Sequence, residues 1–370
     1  MKFTIDKNVF VKSLDDVIKA IDSNNIYVHL RNFYIEVLDE MIVIKGSNGY
    51  FSIESKIENE KIINIESVGS FLIPANLFSN VIKKCFGKIE IYSKNDVLYI
   101  KNNSDEYEIN LINTNDYPSI DFSLYGNKIK INAAKLKNAI NNVIFATSQT
   151  SEEIILSGVN FKYENGLLMI TATDSFRLAR ETIKIQDDRN ISFDVTITNK
   201  NIKNFIPTNI ENDIILYANE HKINLIHENT NFQSKIIDAP YKNVDQLFQV
   251  RFNKQLIIDK TILNNAISKA TVISNSDSSY NKIYISISKE QIILSTISDE
   301  VGRTQVIIQG NDFEFVSDEN IDIVLNYKFL KEAINVFNDK ISINLINSKS
   351  LILIESNSSQ NKQIISPMIS

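Results

Sequence analysis

Few side chains in this 370-residue sequence have the type and spacing that enzyme chemistry requires. His221 and His227 lie six positions apart on a predicted strand, which at about 3.3 Å per residue separates them by roughly 20 Å, too far to share one metal ion. His29 is isolated, and the adjacent carboxylates Glu152 and Glu153 diverge on an extended chain. Phosphate-binding loops, serine-nucleophile elbows and zinc-helix motifs are missing. We therefore predict no catalytic residue, no metal, no cofactor and no enzymatic activity.

The single cysteine, Cys85, cannot form a disulfide within the chain, which fits a reducing compartment. We interpret it as a small buried hydrophobic residue rather than a nucleophile. The first residues alternate polar and apolar side chains without the apolar core of a signal peptide, and no stretch approaches the roughly 18 apolar residues of a membrane-spanning helix. These features predict a cytoplasmic protein with no membrane contact.

A long internal repeat organises the chain. Three segments share a β-like residue, a polar or capping residue and an amphipathic helix, and they begin at Ile5, Ile131 and Ile258. Their spacing of about 126 residues is the size of a domain rather than of a solenoid repeat. Each segment continues with strands of period-2 alternation, a second helix and closing strands. Because strands and helices do not alternate one by one, we predict an α+β fold with mainly antiparallel sheets.

The repeat predicts three tandem copies of a unit in which two helices pack on antiparallel sheets. We place the copies at residues 1–125, 126–250 and 251–370. The first two copies also end alike, in residues 110–120 and 234–244. No low-complexity linker separates the copies, so we expect them to pack rigidly.

Charge as a total does not favour a nucleic-acid partner. The net charge is −6, from 39 basic and 45 acidic side chains, whereas nucleic-acid-binding proteins usually carry a basic excess. Distribution matters more than the total, because an acidic protein can still present one basic face.

Lysines recur on the predicted helices of all three copies. On a single helix they are typical of a solvated face, but six helices in three copies indicate a common surface. If these helices line one hole, the lysines bind duplex DNA through phosphate charge alone, without reading sequence. The twelve lysines are Lys12, Lys19, Lys83, Lys84, Lys135, Lys137, Lys200, Lys203, Lys260, Lys269, Lys328 and Lys331.

Several stretches, in this order, resemble one family. The most specific is residues 171–179, Thr-Ala-Thr-Asp-Ser-Phe-Arg-Leu-Ala; the others are the opening residues 1–4, residues 115–121 and the terminal Pro367-Met368. Over the whole length the chain is similar to the bacterial DNA polymerase III beta subunit, the beta sliding clamp. The resemblance implies a head-to-tail homodimer, which closes six similar domains into a ring with the helices inward. It also implies a clamp loader, and a cleft between the second and third copies that receives short linear peptides from the polymerase and the loader.

The resemblance carries residue positions onto this sequence. One side of the cleft is implied to hold Leu156, Thr173, Ser175, Phe176, Arg177 and Leu178, and the other Tyr241, Leu247, Ile364, Pro367 and Met368. Apolar members would receive an aliphatic or aromatic anchor, while Arg177 and Thr173 would orient peptide carbonyls. The subunit interface is implied to hold Tyr107 and Ile109 on one face, and Val272 and Ile273 on the other.

The sequence departs from the family pattern in and near the cleft. Phe176 stands where histidine is common, Ser175 where glycine is common and Lys242 where proline is common. Ser366 and the terminal Ile369-Ser370 also differ. These departures affect the peptide motif that the cleft prefers. Residues 23–29 lack the usual arginine and proline, so we expect a weaker DNA contact there.

Two other classes of protein are open. A non-catalytic β-rich scaffold that binds only proteins would have no lysine-lined interior. A hydrolase would need a convergent acid–base cluster, for which the sequence supplies no candidate triad.

Overall fold

The computed structural model describes residues 1–186, 189–207, 212–274, 281–298 and 301–368. The elements of the first copy are, in chain order, β1 (Lys2–Asp6), α1 (Lys7–Val17), β2 (Asn32–Val37), β3 (Met41–Ser47), β4 (Phe51–Glu58), β5 (Ile62–Ser67), β6 (Gly69–Pro74), α2 (Ala75–Lys84), β7 (Lys88–Lys94), β8 (Val97–Asn102) and β9 (Asp105–Asn110).

The second and third copies follow the same plan. The second contains β10 (Asn127–Asn132), α3 (Ala133–Asn141), β11 (Gly158–Glu164), β12 (Leu167–Thr173), β13 (Arg177–Lys184), β14 (Phe193–Thr198), α4 (Asn199–Phe205), β15 (Asp213–Ala218), β16 (Lys222–His227) and β17 (Thr230–Lys235). The third contains β18 (Lys254–Asp259), α5 (Lys260–Ala270), β19 (Lys282–Ile287), β20 (Gln291–Ser298), β21 (Gly302–Gln309), β22 (Phe313–Val316), β23 (Ile321–Asn326), α6 (Tyr327–Asn335), β24 (Lys340–Leu345), β25 (Ile352–Glu355) and β26 (Asn361–Ile365).

Helix starts follow from capping residues at the ends of strands. Asp6 and Asp259 accept a hydrogen bond from the backbone N–H two residues on, at 2.8 and 2.7 Å, and Asn326 does the same at 2.9 Å. Such caps satisfy N–H groups that have no partner inside the helix. Each strand that ends in a cap therefore turns directly into a helix.

Strand order shows the repeat more clearly than the helices do. The order β6-β2-β3-β4 recurs as β14-β11-β12-β13 and as β23-β19-β20-β21. The order β1-β7-β8-β9 recurs as β10-β15-β16-β17 and as β18-β24-β25-β26, with β5 and β22 added beside β1 and β18. Every ladder between the described strands is antiparallel, which confirms the predicted α+β class.

Neighbouring copies share sheets. β4 of the first copy pairs with β17 of the second, and β13 of the second pairs with β26 of the third. The chain therefore divides into two compact units, Met1–Ala134 with Lys200–Asp238, and Lys135–Asn199 with Ala239–Ser370. Each unit contains one such junction. The copy boundaries at residues 125 and 250 stay predictions.

The cores differ in composition. In the first unit Phe78 packs edge-on against Phe10, Phe33 and Phe71, with ring centroids 5.9, 6.4 and 6.2 Å apart. The third copy instead buries aliphatic side chains from α5, α6 and the strands around them. Cys85 is buried, as predicted, and burial raises the pKa of its thiol.

Two placements differ from the sequence prediction. Lys19 lies in a 3-10 turn, Ile18–Ala20, directly after α1 rather than within it. His221 lies in the turn before β16, whose last residue is His227. Both residues lie one or two positions outside the observed helix or strand, where assignments of element ends commonly differ.

Candidate functional site: a loop, an apolar cluster and basic helices

The loop between β12 and β13, residues 173–177, is fixed by its own side chains. Asp174 Oδ1 accepts hydrogen bonds from the backbone N–H groups of Phe176 and Arg177, both at 3.0 Å. The Thr173 hydroxyl donates to the Arg177 carbonyl at 2.6 Å and accepts from the Ser175 N–H at 3.2 Å. Because Ser175 has a φ of +77°, the chain reverses tightly. Phe176 is left 65% exposed at the tip.

Arg177 points inward from the same loop. Its side chain is 10% exposed and pairs with Asp174 at 2.9 Å and with Glu332. The guanidinium carbon lies 4.2 Å from the ring centre of Phe329 and 5.3 Å from that of Phe145. Arginine favours such combined stacking and ion pairing. In this structure Arg177 and the Thr173 hydroxyl bond within the protein and position the loop. The expected role of both residues in orienting peptide carbonyls stays a prediction.

An apolar cluster lies beside the loop. Leu178 pairs with Ile364 across β13 and β26, and Ile364 pairs with Leu353 across β25 and β26. These three side chains are at most 4% exposed and pack with Val244. Leu247, Phe248, Phe252 and Leu351 cover them and remain partly exposed. The structure thus brings together three of the predicted cleft residues, Leu178, Ile364 and Leu247.

The other predicted cleft residues occupy separate positions. Leu156 is buried in the 3-10 turn Ile154–Ser157. Pro367 and Met368 line an open cavity of about 800 Å³ on the sheet that contains β23, where the Met368 N–H donates to the Val324 carbonyl at 2.8 Å. Ser366 joins the C-terminal segment to the loop, since its N–H donates to the Phe176 carbonyl at 2.9 Å. The departure at Ile369-Ser370 lies outside the described residues.

Tyr241 and the segment after it anchor this region. Burial raises the pKa of the Tyr241 phenol well above its ordinary value. Arg180 forms an ion pair with Asp245 at 2.7 Å and stacks 4.4 Å from the ring centre of Phe248. Burial works against ionisation of Asp245, but hydrogen bonding to Arg180 and the charge of Lys162 hold its pKa below the usual range.

Sequence reasoning missed several members of the cluster. Val244, Phe248 and Leu353 complete it, and Arg180 with Asp245 fixes it. Two signals could have found them. Val244 stands in the ending that the second copy shares with the first, and Leu353 stands between two buried isoleucines in the apolar run of a closing strand.

The predicted DNA-facing lysines lie on helices, apart from Lys19. Nine of the twelve are exposed, and Lys19, Lys260 and Lys331 are half-buried. Three form ion pairs, Lys12 with Glu228 at 3.0 Å, Lys19 with Asp16 at 2.7 Å and Lys83 with Asp15 at 2.7 Å. Within the described ranges Lys84, Lys137, Lys200, Lys203, Lys269, Lys328 and Lys331 form no ion pair.

Charge is separated between the helices and the rest of the chain. The six α-helices of the described residues, α1 to α6, contain twelve lysines, with Lys7 counted, and only three carboxylates, Asp15, Asp16 and Glu332. The whole chain has a net charge of −6. The excess acidic charge therefore lies on strands, turns and loops.

Of the predicted interface residues, two lie on the outer strand of a sheet and two lie in the segment after a helix. Tyr107 and Ile109 belong to β9, the last strand of its sheet. Val272 and Ile273 follow Thr271, the C-cap of α5, and Val272 is 79% exposed. β21, the outer strand of the third copy's second sheet, also has a free edge among the described strands, and its Ile307 is 45% exposed.

Neither a metal site nor a membrane span appears in the part of the chain that the structure describes. No group of three or more histidine, cysteine or acidic side chains there could hold a metal ion. None of the helices combines the length and the apolar character needed to cross a bilayer.

Comparison with known proteins decides the family. Models for the N-terminal, central and C-terminal domains of the DNA polymerase III beta subunit match residues 1–121, 130–243 and 245–369. A protein from Mycoplasmopsis pulmonis named "Beta sliding clamp" is 31% identical, and the alignment covers 100% of this chain and 99% of that protein's length. The chain belongs to the DNA polymerase III beta subunit family.

More distant relatives agree over the same length. A "Beta sliding clamp" from Staphylococcus epidermidis is 27% identical over 100% of this chain and 99% of that protein's length. A solved DNA polymerase sliding clamp from Bacillus subtilis has a TM-score of 0.93 at 27% identity, covering 100% of this chain and 99% of that one. Membership in the family makes the three tandem copies three clamp domains.

Proposed function

We propose that this protein is a sliding clamp, a ring-shaped homodimer that encircles duplex DNA and tethers the replicative polymerase to it. The observation that carries the proposal is the charge of the helices, twelve lysines against three carboxylates in a chain of net charge −6. Lysines without ion-pair partners attract phosphates whatever the sequence, which lets a ring slide. A scaffold that binds only proteins has no use for this separation of charge.

Strand pairing supports closure into a ring. In each unit, the last strand of one copy's second sheet pairs with the last strand of the next copy's first sheet, β4 with β17 and β13 with β26. The same rule pairs β21 of one protomer with β9 of its partner. Such a heterologous contact closes after two subunits and also covers edges that otherwise invite aggregation.

Sedimentation of two matched variants tests closure. We expect the protein to sediment near twice 42.2 kDa. Ile307→Asp, on the free edge of β21, should shift it to monomer because the charge becomes buried at the interface. Ile63→Asp on β5 is the control, since both isoleucines are 45% exposed. A monomeric wild-type protein at micromolar concentration, or dissociation by both variants alike, would contradict the proposed ring.

Salt dependence tests the DNA-facing helices. A triple variant of Lys84, Lys203 and Lys269 to alanine should flatten the slope of log affinity against log salt by up to about 0.9 for each phosphate contact that is lost. The control replaces Lys94, Lys184 and Lys349, which are exposed and lie outside the helices. Equal slopes for the two triple variants would argue against the helix surface.

Protein partners are proposed to bind the apolar cluster beside residues 173–177. The polymerase and the clamp loader would each insert an aliphatic or aromatic anchor of a short linear peptide against Leu247 and its neighbours.

We propose further that the clamp itself is non-catalytic and acts in the cytoplasm. Leu247→Ala should weaken binding of the cognate polymerase's C-terminal peptide at least tenfold and leave the dimer intact. Ile154→Ala, at a side chain 62% exposed, is the control, and equal losses would reject the site.

A further inference from the structure

The loop between β3 and β4, residues 47–51, repeats the hydrogen bonds of residues 173–177. Asn48 Oδ1 accepts from the backbone N–H groups of Tyr50 and Phe51 at 2.9 and 2.8 Å. The Ser47 hydroxyl bonds the Phe51 carbonyl at 3.3 Å and accepts from the Gly49 N–H at 2.9 Å. Gly49 has a φ of +96°, and Tyr50 at the tip is 69% exposed. The first unit therefore contains the same loop as the proposed peptide cleft of the second unit.

The segments that connect one copy to the next also match. Residues 117–121 correspond to residues 241–245, and each begins with a half-buried tyrosine, Tyr117 or Tyr241, whose phenol oxygen is buried. Asp121 closes the first segment with an ion pair to Lys222 at 3.0 Å, as Asp245 closes the second with Arg180 at 2.7 Å. Each junction thus has a projecting loop on one side and an anchored segment on the other.

Side chains beside the loop differ in chemistry. The positions that correspond to Leu178, Ile364 and Leu353 by strand pairing are Ser52, Gln233 and Asn224. All three are buried. Ser52 hydrogen-bonds Ser47 at 2.8 Å, and Asn224 donates to Gln233 Oε1 at 3.0 Å. The floor beside each loop, meaning these three buried positions, is therefore apolar in the second unit and made of hydroxyl and amide side chains in the first.

This polar floor belongs to an open cavity of about 940 Å³ with an aromatic rim. Ser47, Ser52 and Gln233 line it, together with Tyr27, Tyr50 and Tyr125, which are 61%, 69% and 46% exposed. Two of these rings already face an ammonium group of this chain. Lys222 Nζ lies 5.1 Å from the centre of Tyr125, and Lys235 Nζ lies 5.7 Å from that of Tyr50. The tyrosine faces are therefore suited to cations.

Carboxylates outnumber cations around the cavity. Asp116, Asp121, Glu220 and Asp238 line it, against Lys222 and Lys235 and the imidazoles of His29 and His221, the latter 3.5 Å from Glu220. The ion pair between Asp121 and Lys222 is internal, which leaves three carboxylates to one ammonium group. A nucleic-acid backbone is disfavoured by this balance, whereas a positively charged segment is favoured.

We propose that this cavity is a second peptide-docking site, which takes an extended arginine-containing segment of a partner protein. A guanidinium group stacks on tyrosine and forms directed hydrogen bonds to carboxylates, so it uses the rim and the acidic groups together. The site goes beyond the proposed clamp function, because its chemistry differs from that of the apolar cleft. One protomer would thus recognise two different peptide classes at two junctions of the same design.

Fluorescence anisotropy on the full-length protein tests the proposal with labelled Gly-Arg-Leu-Arg-Gly and its lysine and glutamate analogues. We expect the arginine peptide to bind more tightly than the lysine peptide, and the glutamate peptide not to bind. Tyr50→Ala should weaken arginine-peptide binding about fivefold, the order of one cation–π contact. Asp238→Asn should weaken it about threefold. Phe176→Ala, the matched change at the tip of the other loop, should leave it unchanged.

Several outcomes would overturn the second site. They are no saturable binding of the arginine peptide up to millimolar concentration, equal loss in Tyr50→Ala and Phe176→Ala, or displacement of the peptide by single-stranded oligothymidine. Polymerase-peptide binding is measured in parallel on the same variants. Because Tyr50→Ala should spare it and Leu247→Ala should weaken it at least tenfold, failure of the second site and failure of the clamp function are distinguishable.

Discussion

The two junction loops of this molecule have one backbone design and two different surroundings. Residues 47–51 and 173–177 make the same hydrogen bonds and project one aromatic side chain each. Beside the first lie Ser52 and Gln233, and beside the second lie Leu178 and Ile364. The comparison teaches that one turn chemistry can stand beside an apolar or a polar set of strand residues, and we propose that this difference decides which peptide each loop region binds.

Substitutions at Phe51 and Arg177, the last residues of the two loops, should have the largest effects on the free energy of unfolding. Phe51 is 1% exposed, so Phe51→Ala should lower the free energy of unfolding by about 4 kcal/mol through cavity formation. Arg177→Ala should cost about 3 kcal/mol, because it leaves the half-buried carboxylate of Asp174 without its partner. Chemical denaturation followed by circular dichroism measures both. A cost below 1 kcal/mol for Arg177→Ala would show that its ion pairs and stacking do not hold the loop.

A matched pair on the adjoining strands should sharpen the comparison. Leu178→Ala should cost about 3 kcal/mol, because a side chain 3% exposed leaves a cavity. Ser52→Ala, at the corresponding position, should cost only about 1 kcal/mol, the value of its hydrogen bond to Ser47. The same denaturation experiment applies. Equal costs would mean that the two floors do not differ in packing as described.

Gly49 and Ser175, which have left-handed backbone conformations, predict smaller changes in stability, of opposite sign in the two loops. At Gly49, with a φ of +96°, an added Cβ meets nothing closer than Leu30 Cδ1 at 3.7 Å. Gly49→Ala should therefore cost about 1 kcal/mol from backbone strain alone. Ser175→Gly should relieve such strain and stabilise the fold by about 0.5 kcal/mol. The gain is small because glycine also has more freedom in the unfolded chain, which partly offsets the relieved strain. Melting temperatures of the two variants should move in opposite directions, and a shift in the same direction would refute the shared geometry.

The smallest effect concerns Asp121 and pH. Hydrogen bonds from Ser123 and the ion pair with Lys222 lower the pKa of Asp121 from 3.8 to about 2. A carboxyl whose pKa is lower in the folded state stabilises the fold above the unfolded pKa and loses that contribution as pH falls through the folded pKa. The melting-temperature advantage of the native protein over Asp121→Asn should be present at pH 5 and shrink between pH 4 and pH 2. A constant difference over that range would contradict the assignment.

Much of this architecture could be predicted from the sequence. Period-2 alternation and capping residues such as Asp6 and Asp259 predicted the elements, and the segments beginning at Ile5, Ile131 and Ile258 predicted the repeat. Strand order across the junctions could not be predicted, because the pairings of β4 with β17 and of β13 with β26 join residues far apart in sequence.

The functional surfaces were predicted less completely, for physical reasons. Arg177 was expected to meet a ligand, but its partners Phe145 and Glu332 come from segments that only the fold brings together. The cavity of the first unit was missed because its residues are individually ordinary. Tyr50 and Gln233 gain significance only through the strand register that places them beside a loop of the same form as residues 173–177.

Retention on circular DNA tests the central claim, that this chain forms a ring around duplex DNA, most directly. The protein is loaded onto nicked circular DNA with its cognate clamp loader and ATP, separated from free protein in high salt, and then followed after the circle is cut once. We predict that it stays on the closed circle and is lost on linearisation, because a ring slides off free ends. Equal retention on the circular and the linearised DNA, or dissociation from the intact circle in high salt, would contradict the account.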